Sequence, residues 1–444
     1  MQLGVNEVLQ LSPDDASAKA AKGLVIPAKW PRLEYDDEAV WGECQGSGSK
    51  PYQVQVDKAG PAFKCSCPSR KFPCKHGLAL LLLLAQHGGS FKAAPAPEWV
   101  SDWLATRRQR AEKQAEKQEQ KAADAASAEA DPQATAKREA TRLARMSSGL
   151  DDLARWLGDR LRQGLASMPT ELAQWEAMAT RMVDAQLPGV AYRLRLISAA
   201  VDKGEGWPAR VLAGMGRLQL LIEAFARIDS LPAAVQADVR NALGLSADRD
   251  AVIATGERVS DDWLVEAQAS DEEGRLWVRR VWLRGQQSGR SALLLDYAHG
   301  GRRFEQSWVT GTVSAMTLAY FPGNAPLRAL VVGDQSLRPA SPQAALGFDA
   351  ALDALSVMAA ANPWQSPLPL RVDDGVPVRD DAGWGLLLGG QRLPLKLRDD
   401  DGWQLVAESG GAPLPMSGEW DGESLRPLSA WRDGLVWFEE AESA

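Results

Sequence analysis

Three of the chain's four cysteines and one of its three histidines fall within twelve residues. Cys65, Cys67, Cys74 and His76 supply the thiolate and imidazole groups that Zn²⁺ prefers in a tetrahedral site. Within each pair the two residues are two positions apart, so on an extended strand both side chains point to one face. A turn of six residues separates the pairs. Because four protein ligands leave no open coordination position, the sequence predicts one structural zinc per chain.

Two other roles are open for these cysteines. They could be buried apolar side chains, or they could form a disulfide, which a reducing cytoplasm disfavours. Against the first role, cysteine is scarce in this chain, yet three of the four lie beside a histidine. The fourth, Cys44, is expected to pack as a free thiol in a hairpin, with substitution as a zinc ligand as the alternative.

The segment Phe63–Leu80 resembles the SWIM zinc finger family, and the resemblance covers residues 35–90. The family pattern is Cys-x-Cys, a variable spacer and Cys-x-His, followed by an apolar helix, and the four residues above match it. The resemblance implies a small hairpin-plus-helix domain with one structural zinc. It also implies binding to DNA or to other proteins, because members of the family are predicted to do so.

The order of an N-terminal finger followed by long helical and β regions is also similar to a group of bacterial SWIM proteins. Those proteins are encoded beside MoxR-type AAA ATPases and von Willebrand A-domain proteins. By this analogy, the expected protein partner is an ATPase or an A-domain protein of these kinds.

The finger lies in a basic stretch of an acidic chain. The chain has a net charge of −8, yet Lys58 to Pro97 contains no acidic residue. Basic side chains beside the ligands could neutralise phosphates, and Phe72 could stack on a base. Alternatively, they only balance the net negative charge of a Cys₃His zinc centre and stay solvated. The basic residues concerned are Lys64, Arg70, Lys71 and Lys75.

The elements around the ligands are predicted from local pattern. Ala39–Cys44 and Tyr52–Val56 are strand-like and flank a Gly/Ser turn, which predicts a hairpin. Five consecutive leucines, Leu80–Leu84, cover every side of a helix, so this helix must be buried all round. The hairpin alone is small, and we expect the turn around Trp99 and Trp103 to cover the rest.

Four segments follow from composition, and together they predict an α+β multidomain fold. Residues 1–96 form the zinc module, and residues 97–146 form a charged helical linker that cannot bury a core of its own. Residues 147–249 are predicted to be an α-helical domain, because leucines recur at helical spacing from Leu150. Residues 250–444 are predicted to be mainly antiparallel β structure.

The β prediction depends partly on an internal repeat. Arg379–Leu386 recurs 19 residues later as Arg398–Leu405, and each copy has an Asp/Gly turn followed by a tryptophan. This pattern predicts a hairpin at each copy, with Ser260–Val265 as a weaker third copy. One helix, at about Ser341–Ala361, is expected to interrupt the strands.

Several function classes are disfavoured. The longest apolar run is too short for a membrane helix, and the first residues do not resemble a secretory signal, so a cytoplasmic protein is expected. The phosphate-binding loop pattern is absent, and His299 near Asp296 has no accompanying nucleophile motif, so no enzyme is predicted. The leading hypothesis is a zinc-binding adaptor that contacts protein or DNA. The alternative is a nucleic-acid-binding protein that uses the basic finger surface, and a weaker third is an enzyme hidden in the β region.

Overall fold

The computed structural model describes most of the chain, and within the described residues the fold is mixed α and β. A five-stranded sheet with helices comes first, then a helical region, then three further sheets that are all antiparallel. The α+β multidomain prediction is therefore confirmed. No helix in the described part is long and apolar enough to cross a membrane. The described residues are 4–12, 15–46, 50–58, 62–69, 71–109, 132–202, 204, 206–245, 247–273, 276–299, 304, 306–339 and 347–439.

The N-terminal module is built on a sheet with strand order β4-β3-β2-β1-β5. Its elements are α1 (Val5–Gln10), α2 (Asp15–Lys22), β1 (Arg32–Tyr35), β2 (Ala39–Cys44), β3 (Tyr52–Asp57), β4 (Ala62–Cys65), α3 (Lys75–His87) and β5 (Lys92–Ala93). The predicted hairpin is present as β2 and β3, with Ala39 opposite Asp57 and Cys44 opposite Tyr52. Residues 47–49 of its turn lie outside the described residues.

The leucine-rich helix α3 forms the centre of the module's core. Leu78–Leu83 are at most 2% exposed. They belong to one apolar cluster with Val40 and Val54 of the sheet and with Val8 and Leu11 at α1. Because α1 and α2 also pack on α3, every side of the helix is covered. The leucines are therefore core residues, as their distribution around the helix required.

A fourth helix, α4 (residues 98–109), covers the opposite face of the same sheet. Trp41 of β2 clusters with Val100, Trp103 and Leu104 of this helix. The side chain of Gln55 donates to the Trp99 carbonyl at 3.1 Å. The turn around Trp99 and Trp103 was expected to cover the leucine helix, but it covers the other side of the sheet. The first part of the predicted linker is thus packed on the zinc module.

The middle region is a bundle of helices around one apolar core. Its helices are α5 (Pro132–Gln163), α6 (Leu172–Asp184), α7 (Pro188–Ala199), α8 (Trp207–Ala226) and α9 (Ala233–Leu243). Of the leucines at helical spacing, Leu150, Leu153 and Leu157 are buried in this core as predicted, whereas Leu161 is 48% exposed. Helix α5 runs without a break across the predicted boundary at 146/147. The four-domain division itself stays a prediction.

Two polar side chains, the half-buried Arg193 and the buried Asp238, join the bundle to the β region. Arg193 donates to the Ala242 and Trp364 carbonyls, both at 2.9 Å. Asp238 accepts from the Asn362 amide at 2.9 Å and from the backbone N–H of Asn324 at 3.1 Å. Burial lowers the pKa of Arg193 and raises that of Asp238. These contacts satisfy groups that would be costly to bury alone.

The C-terminal region contains a five-stranded sheet of order β10-β9-β6-β7-β8, a four-stranded sheet of order β11-β15-β16-β17 and a three-stranded sheet of order β12-β13-β14. Its elements are α10 (Arg249–Thr255), β6 (Arg258–Glu273), β7 (Leu276–Gly285), β8 (Ser291–His299), β9 (Thr312–Tyr320), β10 (Ala329–Pro339), α11 (Phe348–Ala361), β11 (Leu368–Val372), β12 (Val376–Asp380), β13 (Gly383–Leu388), β14 (Gln391–Pro394), α12 (Asp399–Ser409), β15 (Met416–Trp420), β16 (Leu425–Trp431) and β17 (Leu435–Phe438). The predicted interrupting helix is α11, and residues 340–346 lie outside the described part.

The internal repeat folds in two different ways. Its first copy is the predicted hairpin, with Asp380 opposite Gly383 in β12 and β13. The second copy forms helix α12, so the hairpin predicted there is wrong. Three acidic residues, Asp399–Asp401, occupy the first turn of α12, where carboxylates favour helix formation. Ser260–Val265 lies inside the long strand β6 and makes no turn.

A buried ionic cluster joins the five-stranded and four-stranded sheets. Glu266 of β6 is 3% exposed and is bonded by Arg371 of β11 at 3.3 Å. Arg284 of β7 also lies 3.3 Å from this carboxylate, and the Ser417 hydroxyl donates to it at 3.0 Å. The Ser429 hydroxyl donates to the Glu266 carbonyl at 2.7 Å. The sheets are therefore held together by charges as well as by apolar packing.

Candidate metal centre

The four predicted ligands lie at the junction of strand β4 and helix α3. Cys65 is the last residue of β4, and Cys67 follows it in the loop. Cys74 is the N-cap residue of α3, and His76 lies in its first turn. The strand continues the sheet through Val54, which pairs with Cys65. The first ligand pair is thus positioned by the end of the sheet, and the second pair by the start of the helix.

The ligand atoms of these residues form a group of the size that zinc requires. The three Sγ atoms and a His76 ring nitrogen all lie within 4.8 Å of one another. The Nδ1 atom of His76 is 3.8 Å from Cys65 Sγ and 4.0 Å from Cys74 Sγ. A tetrahedron with Zn–S bonds of about 2.3 Å has edges of about 3.8 Å. Cys65, Cys67, Cys74 and His76 are therefore positioned to bind one zinc ion.

The three thiols lie so close together that their hydrogen bonds and burial shift their pKa values in opposite directions. The Cys65 thiol, which hydrogen-bonds Cys74, lowers the pKa of Cys74 to about 4, and His76 contributes to the same effect. The pKa of Cys65 is raised by that same hydrogen bond and by burial. Burial also raises the pKa of Cys67. Zinc binds thiolates, so its binding displaces the protons that remain on Cys65 and Cys67.

Tyr52 and Gly77, to which the sequence assigned no role, shape the surroundings of the ligand histidine. The Tyr52 ring lies 4.9 Å from the His76 ring, measured between centroids. A Cβ at Gly77 would stand 2.9 Å from Cδ1 of Phe63, so glycine allows the helix to approach the sheet there. Glycine is unfavourable inside a helix. A glycine directly after His76 was therefore the sign in the sequence that the helix is closely packed at this point.

Three of the four basic residues predicted to contact phosphates are among the described residues. Lys64, Lys71 and Lys75 are exposed, and so is Phe72, a residue that is 41% exposed. Phe72 meets the Phe63 ring edge-on at 6.1 Å. Arg70, the fourth predicted phosphate contact, lies outside the described residues. This zinc loop, between β4 and α3, therefore presents Phe72 and Lys71 to solvent, and it is flanked by the exposed Lys64 of β4 and Lys75 of α3.

The other residues considered for chemistry are not in this group. Cys44 is fully buried in the hairpin, and burial raises its pKa to about 11. His299 is exposed at the end of β8. The Asp296 carboxylate, three residues before His299 on the same strand, is ion-paired with Arg279 at 2.5 Å. The Asp296 carboxylate is therefore already neutralised by an arginine.

Two family models match the chain. Residues 52–85 match the SWIM zinc finger, and residues 141–243 match the SWIM-associated four-helix bundle domain. No curated protein and no solved structure gives a significant match to the chain. The first match contains all four metal ligands, and the second lies within α5 to α9. The chain therefore contains a SWIM zinc finger domain at residues 52–85 and a SWIM-associated four-helix bundle domain at residues 141–243.

Proposed function

We propose that this chain is a non-enzymatic adaptor whose zinc finger presents a binding surface to a protein partner. The observation that carries the proposal is the closed ligand set beside an exposed loop. Four protein ligands leave no position at which zinc could activate water or substrate, so the metal serves to order the loop. The ordered loop places Phe72 in solvent, and Lys75, the first residue of α3, is exposed as well.

The surroundings of the finger support a role in binding. The leucines of α3 are buried in the module's own core, so they cannot form a contact surface. We therefore assign the contact with the partner to the exposed zinc loop. Aromatic side chains are enriched at protein interfaces, whereas lysine is depleted, so Phe72 is the side chain of this surface that favours a protein partner. By analogy with bacterial SWIM proteins, we propose a MoxR-type AAA ATPase or a von Willebrand A-domain protein as the partner, in the cytoplasm.

The adaptor role is tested with Phe72→Ser in the full chain. Partners are captured from the native host and identified, and the affinity of each purified partner is then measured for both forms. An aromatic residue at the centre of an interface carries a large share of the binding energy, so we expect affinity to fall at least about tenfold. Tyr297→Ser is the matched control, since Tyr297 is 49% exposed on β8.

Zinc content is measured in both variants, because Phe72 also contacts Phe63. A variant that retains one zinc and binds every partner with unchanged affinity would show that the zinc loop is not the contact surface.

A second proposal is that the same surface binds single-stranded nucleic acid. The observation that favours it is the exposure of Lys64, Lys71 and Lys75 around one exposed aromatic ring. Lysines that neutralise phosphates make affinity depend on salt, and the ring offers a stacking platform. Arg70 belongs to this proposal by its place in the sequence.

The nucleic-acid proposal is tested with a labelled single-stranded oligonucleotide. If three phosphates are neutralised, affinity falls about 20-fold between roughly 50 and 200 mM salt. Replacing Lys64, Lys71 and Lys75 by Ala should remove most of this salt dependence, because only Arg70 of the four proposed phosphate contacts remains. The matched control replaces three lysines that are exposed elsewhere, which are Lys19, Lys22 and Lys396. Equal binding by both triple variants would exclude the finger as the contact.

A further inference from the structure

The loop before strand β9 is bonded to two parts of the molecule that are far apart in sequence. This docking loop, residues 306–311, belongs to the C-terminal region, yet it contacts helix α1 of the N-terminal module. The Gln10 side chain accepts from the Thr310 backbone N–H at 2.9 Å and donates to the Thr310 carbonyl at 3.0 Å. One side-chain amide thus pairs with both backbone groups of a residue 300 positions away.

Apolar packing reinforces this pair. Val309 is fully buried, and it belongs to the same apolar cluster as Val8, Leu11 and the α3 leucines. Its neighbour Trp308 is 3% exposed and belongs to the core of the five-stranded sheet. Consecutive residues of the docking loop are therefore buried in two different cores. If the N-terminal module moved away, Val309 would lose the residues that cover it.

The other side of the docking loop is fixed to the β region. The Gln268 amide donates to the Trp308 carbonyl and to the Thr310 hydroxyl, both at 3.1 Å. The Gly311 N–H donates to the Val265 carbonyl at 2.9 Å. Gly311 has a φ of +89°, a value that favours glycine over residues with a side chain. These hydrogen bonds hold the docking loop in a defined conformation against the five-stranded sheet.

We propose that the docking loop holds the zinc module on the β region, so that zinc binding in the module also orders residues 308–312. The β region then acts as a platform that fixes the module while its zinc loop faces solvent, since Lys64, Phe72 and Lys75 stay exposed in the docked arrangement. This coupling does not depend on which partner the finger binds.

Hydrogen exchange of the full chain, resolved to the Thr310 amide, tests the proposal. In Gln10→Ala the Thr310 N–H loses its acceptor, so we expect its exchange to become at least tenfold faster while one zinc stays bound. Gln404→Ala is the matched control, because Gln404 is exposed on α12, and it should leave Thr310 unchanged. Unchanged exchange at Thr310 in Gln10→Ala would overturn the docking contact.

The zinc coupling needs a second measurement on the unmodified chain. Removal of zinc by a chelator should accelerate exchange at residues 308–312 at least tenfold, in addition to residues 62–87 of the finger. Acceleration confined to the finger would overturn the coupling, even if the Gln10 contact itself were confirmed.

Discussion

The zinc module and the C-terminal β region both concentrate charge in their interiors, but they neutralise it differently. In the module the ionisable groups are neighbours in sequence, with Cys65 and His76 eleven positions apart, and a metal ion supplies the compensating charge. In the β region Glu266 is compensated by Arg371, 105 positions away, and by the Ser417 hydroxyl, 151 positions away. The first arrangement is local and needs a ligand, whereas the second needs only the completed fold.

A second ionic cluster repeats the pattern of the β region. Arg280 of β7 bonds the Glu419 carboxylate at 2.6 Å and Asp271 at 2.5 Å, and the Trp282 indole N–H donates to Glu419 at 2.8 Å. Arg426 lies 3.0 Å from the other oxygen of Asp271. Each carboxylate is matched by arginines from neighbouring strands or from the facing sheet. The comparison predicts that the module fails when its metal is lost, and that the β region fails when one partner of a cluster is removed.

The largest effect is expected from the zinc ligands. Cys65→Ala or Cys74→Ala should abolish zinc binding and loosen the N-terminal module, because structural zinc binding supplies on the order of 10 kcal/mol in small fingers. The metal content and the hydrogen exchange of residues 62–87 measure this. Cys44→Ala is the matched control and should retain one zinc, because Cys44 lies outside the ligand group. Retained zinc in the ligand variants would contradict the assigned site.

A smaller but still large effect is expected from Glu266→Ala in the β region. The substitution leaves Arg284 and Arg371 without their shared carboxylate, and breaking a buried ion pair typically costs about 3–5 kcal/mol. Urea unfolding followed by hydrogen exchange in β6 and β7 measures the loss. Glu176→Ala, which removes the exposed pair with Arg195, is the control and should change stability by less than about 0.5 kcal/mol. Equal losses of stability in Glu266→Ala and Glu176→Ala would show that the buried cluster stabilises the fold no more than an exposed ion pair does.

Acid should weaken the β region through the same carboxylate. Burial alone would raise the pKa of Glu266, but the charges of Arg284 and Arg371 and the Ser417 hydrogen bond hold it below its usual 4.5. A carboxyl group with a lowered folded pKa stabilises the fold above its unfolded pKa, and this is lost as pH falls through the folded value. Unfolding midpoints below pH 4.5 should therefore fall steeply in the parent chain and less steeply in Glu266→Gln. Parallel pH curves for the two proteins would contradict the assignment.

The smallest effects compare two helical glycines. Gly77→Ala should destabilise the module by about 1–3 kcal/mol and weaken zinc binding, because the new methyl meets the Phe63 ring. Gly216→Ala in α8 should instead stabilise the bundle by up to about 1 kcal/mol, since nothing lies within 4 Å and alanine favours the helix. Thermal unfolding and zinc titration measure both variants. A stabilising Gly77→Ala would mean that the helix and the sheet are less closely packed at Phe63.

The amino-acid sequence by itself determined the zinc ligands, the β2–β3 hairpin and the burial of the α3 leucines. Each depends on residues that are near one another in the chain, so spacing and residue type carry the information. The same reasoning failed for Arg398–Leu405, where a pattern typical of a hairpin forms helix α12. There the acidic first turn and the packing of Leu405 into the apolar core outweighed the turn signal.

Only the tertiary structure decided which distant groups meet. The Gln10 contact with Thr310, the burial of Val309 among α3 leucines, and the pairing of Glu266 with Arg371 join residues separated by 105 to 300 positions. Such pairs leave no periodicity or spacing in one sequence, because their partners are chosen by how the sheets and helices pack. A ligand set on one loop is encoded locally, whereas contacts between regions exist only after the chain has folded.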